Sequence, residues 1–304
     1  MASTQAQERQ QALFSEKGVS GCVTPKGTLV CTLTSNGYKF YTLNLVRQLQ
    51  EVLGPGQPWR LAVFCADAGS HTFLQREGVP CIRLQGAPST LDAGAMAPAP
   101  FGSRQFQLMN RRKLDMLAGL GAAAEGLGIK RIIYMDGDIA VYRDFVPDIE
   151  VRLATAPDTI LMQCDEGARV DCSGTACPNR CTGFFAWNCE GVGGAAMRDV
   201  LRLGGKEAEE VWRAKPEDQP FVNQRLAAAG LPVVSLPRDL YPNGVYASVY
   251  GRRRLAATAA QAAGQTAAQA AGQAASPMLL HYNYMVGDAK KGKMRANGDW
   301  LLPY

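Results

Sequence analysis

Apolar runs and amphipathic stretches alternate along the first half of the chain, and the alternation predicts strands separated by helices. The first apolar run, TLVCTLT at 28–34, is typical of a buried strand. Polar turn residues follow it, and the next stretch, 38–52, has apolar residues three positions apart, as a helix does. Two more strands are predicted at 60–64 and 81–84, with a short helix around 73–77 between them. This rhythm indicates a parallel sheet with crossover helices.

The third predicted helix–strand unit leads into a pair of carboxylates. A long helix is predicted from residue 104 to about residue 127, and an apolar strand, RIIYM, follows at 131–135. The strand runs directly into Asp136-Gly137-Asp138. In open α/β sheets, ligands bind outside the carboxyl ends of the strands. We therefore expect the two carboxylates to lie where chemistry takes place.

The second half of the chain has a less regular pattern. Strands are predicted at 159–163, 182–187 and 232–236, and a helix is predicted to start at Asp218. We expect one α/β domain at 27–304, with a Rossmann-like, mostly parallel central sheet flanked by helices.

Two segments do not fit this domain pattern. Residues 1–26 are predicted to form a loosely ordered leader. Residues 255–276 are a low-complexity insertion rich in Ala and Gln, in which TAAQAAGQ at 258–265 is repeated at 266–273. Its composition favours helix, but it lacks an apolar face large enough to pack, and we assign it no function.

Composition and charge exclude several classes of protein. Of the 304 residues, 47% are hydrophobic and 19% are charged, which is typical of a folded globule. No stretch approaches the ~20 apolar residues that cross a bilayer, and the polar N-terminus lacks a signal-peptide core. The net charge of +5 is mild and its basic residues form short clusters, so we expect no nucleic-acid partner.

Nine cysteines leave the redox state open. Cys31 and Cys65 lie in apolar runs and are predicted to be small core residues. Five others crowd one stretch without a C-x2-C pair, which argues against structural zinc, namely Cys164, Cys172, Cys177, Cys181 and Cys189. A disulfide within the loop DCSGTACPNRC and free thiols are both compatible with this pattern.

The carboxylate pair and one histidine form a candidate metal site. Asp136 and Asp138 are separated by a single glycine and can face the same cation. Such oxygen ligands suit Mg²⁺ or Mn²⁺, which also bind diphosphate oxygens. His281, one of only two histidines, follows a strand-like run and is a suitable third ligand. The structural alternatives are a turn capped by two aspartates and a buried, hydrogen-bonded histidine.

Several motifs follow one another along the chain. They are Thr32–Tyr38 (TLTSNGY), Lys113, Asp136-Gly137-Asp138, Cys181–Asn188 (CTGFFAWN), Asp218-Gln219, and the C-terminal HYNYMVG with the lysines and NGDW after it. In this order they resemble the motifs of nucleotide-diphospho-sugar transferases of the GT-A fold. The likeness is greatest to glycosyltransferase family 77 and more distant to family 8, and it covers roughly 28–304. One departure is Cys181, where the family usually has Asn.

The resemblance implies transfer of a sugar, with retention, from a UDP-sugar to a hydroxyl of a glycan or glycoprotein acceptor. It implies Mn²⁺ or Mg²⁺ bound by Asp136, Asp138 and His281. Asp218 would hold sugar hydroxyls, Gln219 would lie near the reacting carbon, and Lys293 would stabilise the leaving diphosphate. The residues implied to bind the nucleotide-sugar are Thr34, Asn36, Tyr38, Lys113, Asp136, Gly137, Asp138, Gly183, Lys291 and Lys293.

Two other functions remain open. A phosphohydrolase of the haloacid dehalogenase type also has D-x-D after an apolar strand, but here Ala140 stands where that pattern has Thr or Val. A non-catalytic protein that binds sugar-nucleotides on the same fold is the third possibility. As the chain reads, its location is cytoplasmic; many enzymes it resembles are anchored in the Golgi, and an N-terminal anchor would place it in the Golgi lumen.

Overall fold

A seven-stranded sheet forms the centre of the computed structural model, which describes residues 13–54, 61–86, 98–167, 177–247 and 277–304. The strand order is β3-β2-β1-β4-β7-β6-β8, and β5 and β9 form a separate two-stranded sheet. The strands are β1 Thr28–Thr34, β2 Leu61–Cys65, β3 Cys81–Arg83, β4 Arg131–Met135, β5 Ile139–Val141, β6 Ile160–Cys164, β7 Arg180–Asn188, β8 Val233–Ser235 and β9 Leu279–His281.

Helices cover both faces of the large sheet. In the described part of the chain, the α-helices span Glu16–Ser20, Lys39–Leu53, Ala68–Arg76, Arg104–Ala123, Val146–Thr155, Gly191–Leu201, Lys206–Ala214, Asp218–Ala229 and Gly287–Ala296. β1 is buried along its whole length, as expected for a central parallel strand with helices on both sides.

The strand directions confirm a mostly parallel sheet. β1 runs parallel to β2 and β4, β2 runs parallel to β3, and β6 runs parallel to β8. Among the described strands of this sheet, β7 alone is reversed, because it pairs antiparallel with both β4 and β6. The carboxyl ends of β1, β2, β4 and β6 therefore lie at one edge, and β7 begins there.

Two apolar layers hold the sheet, one on each face. Along β7 the side chains alternate between them: Phe185 and Trp187 pack into one layer, and Phe184 and Ala186 pack into the other. This period of two is the expected consequence of strand geometry. The alternation fixes which side chains of β7 point to each face of the sheet. The residues at the start of β7 therefore have defined orientations at the sheet edge.

Some predicted boundaries differ from the structure. The helix predicted around 73–77 begins at Ala68, because the Asp67 carboxylate accepts the Ser70 N–H at 2.7 Å and caps the first turn. The long helix ends at Ala123 rather than near residue 127. Within the predicted leader, Phe14 and Val19 are buried against the core. The insertion at 255–276 and residues 1–12 lie outside the described residues.

The C-terminal segment is fastened to the body of the domain through Asp299, which is fully buried. Its backbone oxygen accepts hydrogen bonds from Asn44 at 2.9 Å and Gln48 at 2.5 Å, and its carboxylate accepts the hydroxyl of Tyr142 at 2.8 Å. The Tyr282 hydroxyl donates to the same carboxylate. These bonds hold the segment that carries β9 against the helix Lys39–Leu53.

Candidate active site

The Asp136-Gly137-Asp138 turn follows β4 directly and is held by backbone contacts. The Asp136 N–H donates to the carbonyl of Gly183 at 2.7 Å, which ties the turn to the first residues of β7. A Cβ at Gly137 would lie 2.8 Å from Oγ1 of Thr42, so the packed helix leaves no room for a side chain. The glycine therefore allows the carboxylate-bearing turn to lie close against the helix Lys39–Leu53.

Pairing of β5 with β9 brings His281 to the two carboxylates. Ile139 is the register partner of His281, so the imidazole lies beside the turn. Its Nε2 is 3.3 Å from Oδ1 of Asp138 and 3.8 Å from Oδ2 of Asp136. One ligand atom from each of the three residues lies within 4.8 Å of the others. This arrangement of two carboxylates and an imidazole fits a divalent cation such as Mn²⁺.

Gly183 leaves the space in which this cluster forms. A Cβ built there would lie 2.1 Å from Cε1 of His281 and 2.7 Å from Oδ2 of Asp136. Such distances are too short for non-bonded atoms, so any side chain at Gly183 would displace a candidate ligand. The glycine of the CTGFF segment is thus part of the cluster's geometry.

Lys290 gives Asp138 a second cationic neighbour. Its ammonium contacts Oδ2 of Asp138, while Oδ1 faces His281. Burial alone would raise the pKa of Asp138, but Lys290 and His281 outweigh it and hold the pKa well below its usual range. For His281, burial acts to lower the pKa, whereas the Cys181 sulfur and the Asp138 carboxylate act to raise it above its ordinary value. The Asp138 side chain is therefore ionised, with one carboxylate oxygen toward Lys290 and the other toward His281.

Lys113 joins Asp136 to Asp218. Its Nζ lies 2.7 Å from Oδ2 of Asp218 and 3.3 Å from Oδ1 of Asp136, and it stands over the ring of Tyr134 at 4.4 Å from the centroid. The Thr182 hydroxyl donates to the same Asp218 oxygen at 2.8 Å. Asp218, the first residue of the helix Asp218–Ala229, is thus oriented by side-chain contacts with Lys113 and Thr182.

Gln219 is held by two polar side chains at the same edge. Its Nε2 donates to Oδ2 of Asp165 at 2.7 Å and to Oδ1 of Asn179 at 3.0 Å. Asp165, directly after β6, also accepts a hydrogen bond from Asn283, two residues beyond His281. Since both amide hydrogens of Gln219 have acceptors, only the side-chain oxygen of this amide could accept a further hydrogen bond.

The end of β1 and the turn after it carry three of the predicted nucleotide-sugar contacts, Thr34, Asn36 and Tyr38. Thr34 is buried, and the Asn36 N–H donates to Oδ2 of Asp67 at 2.7 Å, which joins the carboxyl ends of β1 and β2. The Tyr38 hydroxyl donates to the carbonyl of Ala99 at 3.4 Å. Burial raises the pKa of Tyr38, and Asp138 and Asp136 raise it further, which reflects their proximity.

The three lysines of the C-terminal helix have different surroundings. Lys290 is buried against Asp138, whereas Nζ of Lys291 lies 5.0 Å from the centroid of the Trp300 ring. Lys293 is half-buried one turn after Lys290, and its carbonyl accepts the Asn297 N–H at 3.1 Å. The phosphate roles of Lys291 and Lys293 stay predictions.

Sequence analysis assigned the phosphate contacts to Lys291 and Lys293 and gave no role to Lys290, although a signal for Lys290 exists. Met294 is fully buried four positions later, so Lys290 and Met294 share the inward face of the helix. Asp165 was missed as well. It stands directly after β6, in the same relation to its strand as Asp136 to β4.

The described cysteines form no disulfide with one another. Cys31 and Cys65 are fully buried, as predicted for core residues. Cys172 lies outside the described residues, so a disulfide from it is untested. The sulfur of Cys177 lies 2.7 Å from that of Cys164, at the end of β6.

Comparison with known proteins gives structural likeness without sequence likeness. No family model matches the chain, and no curated protein matches it. The solved structure of galactosyltransferase LgtC, in complex with donor and acceptor sugar analogs, is 13% identical with a TM-score of 0.51 and covers 90% of this chain and 97% of its own. A structure of an active-site mutant of LgtC is 12% identical with a TM-score of 0.50 and the same coverage.

A third solved structure, the apo-form glycosyltransferase GlyE of Streptococcus pneumoniae TIGR4, is 14% identical with a TM-score of 0.46. This chain spans 60% of the length of GlyE, and the match covers 89% of this chain. Among the described helices, none combines the length and apolar character needed to cross a membrane. The likeness to LgtC extends over nearly the whole of both chains, and the chain has the GT-A fold of glycosyltransferases.

Proposed function

We propose that this protein is a metal-dependent glycosyltransferase that moves a sugar from a UDP-sugar to an acceptor hydroxyl with retention of configuration. The observation that carries the proposal is the cluster of Asp136, Asp138 and His281 at the carboxyl edge of the sheet. In open α/β sheets this edge is where ligands bind. The GT-A fold and the adjacent cations Lys290 and Lys113 support the same function.

Asp136, Asp138 and His281 would hold Mn²⁺ or Mg²⁺. Bound there, the ion would supply Lewis-acid stabilisation of the charge on a leaving diphosphate. The protein's own contribution begins with the Gly183 position, where the absence of a side chain keeps the ligand atoms together. Lys290 and the Ile139–His281 pairing then hold two of the ligands in place.

Cationic groups next to this cluster would assist the leaving group. The helix Gly287–Ala296 begins beside the site, and Lys290 lies in its first half. Exposed N–H groups at the start of a helix favour anions, and an ammonium adds to that effect. We assign the diphosphate to this helix start, with Lys290 and Lys293 as the side chains that stabilise its negative charge.

The sugar would lie between this helix and the helix Asp218–Ala229. Asp218, oriented by Lys113 and Thr182, would accept hydrogen bonds from sugar hydroxyls. Gln219, held by Asp165 and Asn179, would present its carbonyl oxygen near the anomeric carbon. In the retaining transfer proposed here, the acceptor hydroxyl would attack the anomeric carbon from the face that the diphosphate leaves. The new C–O bond would replace the bond to the diphosphate, and the hydroxyl proton would pass to the departing phosphate oxygen. No side chain would form a covalent intermediate.

A donor screen tests the proposal against its alternatives. The protein would be incubated with UDP-galactose, UDP-xylose, UDP-arabinose and UDP-glucose, with Mn²⁺ and with a chelator, and free UDP and inorganic phosphate would be measured. Metal-dependent release of UDP supports the transferase, and the anomeric configuration of the product, read by NMR, tests retention. Phosphate release would indicate a phosphohydrolase, for which the observed fold gives no support, and binding without turnover would indicate a non-catalytic protein.

A further inference from the structure

Gln163 lies behind the candidate metal ligand His281, on the side away from the two carboxylates. It is the fourth residue of β6 and is fully buried. Its Oε1 is 2.9 Å from Nδ1 of His281, while Nε2 of the same ring faces Asp138. No motif in the sequence points to this glutamine, because 118 positions separate it from the histidine.

Two backbone carbonyls fix the orientation of the Gln163 amide. Nε2 of Gln163 donates to the carbonyl of Pro242 at 2.8 Å and to that of Tyr241 at 3.1 Å. The Pro242 carbonyl also accepts the backbone N–H of His281 at 3.1 Å, so glutamine and histidine share one anchor. A flipped amide would place Oε1 against two oxygens that only accept hydrogen bonds. The NH₂ group therefore faces the carbonyls, and Oε1 faces the imidazole.

An amide oxygen is only an acceptor, so the contact requires a proton on Nδ1 of His281. With Nδ1 protonated, loss of the Nε2 proton leaves a neutral ring whose lone pair is on Nε2, the nitrogen that lies 3.3 Å from Oδ1 of Asp138. We propose that Gln163 is a positioning residue that holds His281 with Nδ1 protonated and with Nε2 presented to the metal. This inference rests on the proposed metal-dependent function. Groups that bind the far nitrogen of a ligating histidine typically change metal affinity about 10–100-fold.

Cys181 is the competing partner for the same nitrogen. Its sulfur lies 3.5 Å from Nδ1 of His281, and it also receives the Gly183 N–H at 3.3 Å. A thiol is a weak acceptor, whereas the glutamine oxygen lies closer and its amide is fixed by two further hydrogen bonds. We therefore assign the orienting role to Gln163 and use Cys181→Ala as the matched control.

The first test uses the protein without any change in Gln163. The chain has two histidines, so His71→Gln leaves His281 as the sole imidazole. This protein would be prepared with histidine carrying ¹⁵N only at Nε2 or only at Nδ1, loaded with Mn²⁺, and studied by electron spin-echo spectroscopy. We expect the strong coupling of a directly bound nitrogen from the Nε2 label, and only the weak coupling of a remote nitrogen from the Nδ1 label.

The second test compares variants. Gln163→Met keeps the length of the side chain but removes the acceptor, and Mn²⁺ affinity, measured from the free-ion EPR signal, should fall about 10–100-fold. The directly bound nitrogen coupling should weaken or disappear. Cys181→Ala should keep both the affinity and the coupling close to those of the parent. Thermal unfolding of each variant separates loss of the site from loss of the fold.

Several outcomes would overturn the inference. These are strong coupling from the Nδ1 label, absence of any nitrogen coupling in the parent, unchanged affinity and coupling in a folded Gln163→Met, or a larger loss in Cys181→Ala than in Gln163→Met. If Gln163→Met does not fold, the nitrogen-specific labels in the protein with Gln163 intact still show which nitrogen binds the metal. Nε2 coupling together with no turnover of any UDP-sugar would refute the proposed function and leave the role of Gln163 intact.

Discussion

The ammonium of Lys113 lies 2.7 Å from the carboxylate of Asp218, and the same ammonium reaches Asp136 at 3.3 Å. One buried cation thus links the metal motif to the helix Asp218–Ala229. Burial acts to lower the pKa of Lys113, but Asp136 and Asp218 outweigh it and raise the pKa above its ordinary value. The lysine is therefore charged, and its removal would leave two carboxylates facing each other.

Lys113→Met should destabilise the protein. Removing one partner of a buried pair typically costs about 3–5 kcal/mol, because the remaining charge loses its compensation. The free energy of unfolding, from urea denaturation, measures the loss. The double variant Lys113→Met/Asp218→Asn should recover part of it, and Lys206→Ala, which breaks an exposed pair with Glu210, should change little. A Lys113→Met protein as stable as the parent would contradict the buried linkage.

Asp138→Asn should abolish metal-dependent UDP binding and transfer. The substitution keeps the shape of the side chain but removes the charge that faces His281 and Lys290. Loss of one charged ligand should slow transfer on the order of a thousandfold or more. Calorimetric UDP titrations with Mn²⁺ and with a chelator, together with UDP release, measure both effects. Turnover near that of the parent would show that the metal assignment is wrong.

Gly183→Ala tests the space within the cluster. The added Cβ would lie 2.1 Å from Cε1 of His281, so we expect the ring to move and Mn²⁺ affinity to fall at least about tenfold. Gly292→Ala is the matched control, since a Cβ there has open space around it and alanine favours its helix. The free-ion EPR signal gives both affinities. Equal affinities in the two variants would mean that His281 does not need its observed position to bind the metal.

Substitution of the lysines and substitution of Gln219 should have different effects on the affinity for UDP. Lys290→Ala and Lys293→Ala should both weaken UDP if both side chains reach the phosphates, with the larger loss in Lys290→Ala, because that side chain contacts Asp138. Gln219→Ala should lower turnover and leave UDP affinity nearly unchanged, since UDP has no sugar for it to contact. Calorimetry with Mn²⁺ and transfer kinetics provide the two readouts. Normal UDP affinity in Lys293→Ala would leave the phosphate role to Lys290 or Lys291. Loss of UDP affinity in Gln219→Ala would move that residue away from the sugar.

Asp148 should contribute stability that depends on pH. Burial acts to raise its pKa, but hydrogen bonds from Arg152 and from the Tyr241 hydroxyl at 2.6 Å outweigh this and lower it. Because the folded pKa lies below the unfolded value of about 3.9, the contribution is complete above about pH 5 and is lost as the pH falls through the folded pKa. Asp148→Asn should cost about 1–2 kcal/mol at pH 7 and less at pH 3, where part of the contribution is already lost.

Urea denaturation of the parent and of Asp148→Asn at both pH values measures that difference. Tyr241→Phe removes only one of the hydrogen bonds and should show part of the effect. A difference between parent and variant that is the same at pH 7 and pH 3 would refute the role assigned to the ionised carboxylate.

Local sequence patterns predict the parts of this site that adjacent residues form. Asp136 and Asp138 follow an apolar strand directly, so a strand end with two carboxylates can be inferred without the fold. The sequence does not predict that β7 runs opposite to its neighbours, because an apolar run has the same pattern in a parallel and an antiparallel strand. The contacts of Gln163 with His281, and of Asp165 with Gln219 and Asn283, join segments that are distant in the sequence, so they depend on how the strands, helices and loops pack together.

Pairing of Ile139 with His281 also determines when the candidate metal cluster can assemble during synthesis of the protein. A nascent chain that has emerged as far as residue 276 contains Asp136 and Asp138, but neither His281 nor Lys290. At that stage the acidic pair has none of the cationic partners supplied by the segment that carries β9. Only a polypeptide in which that segment has emerged from the ribosome and docked can assemble the complete cluster, so nascent chains that stall before it would be unable to capture the ion.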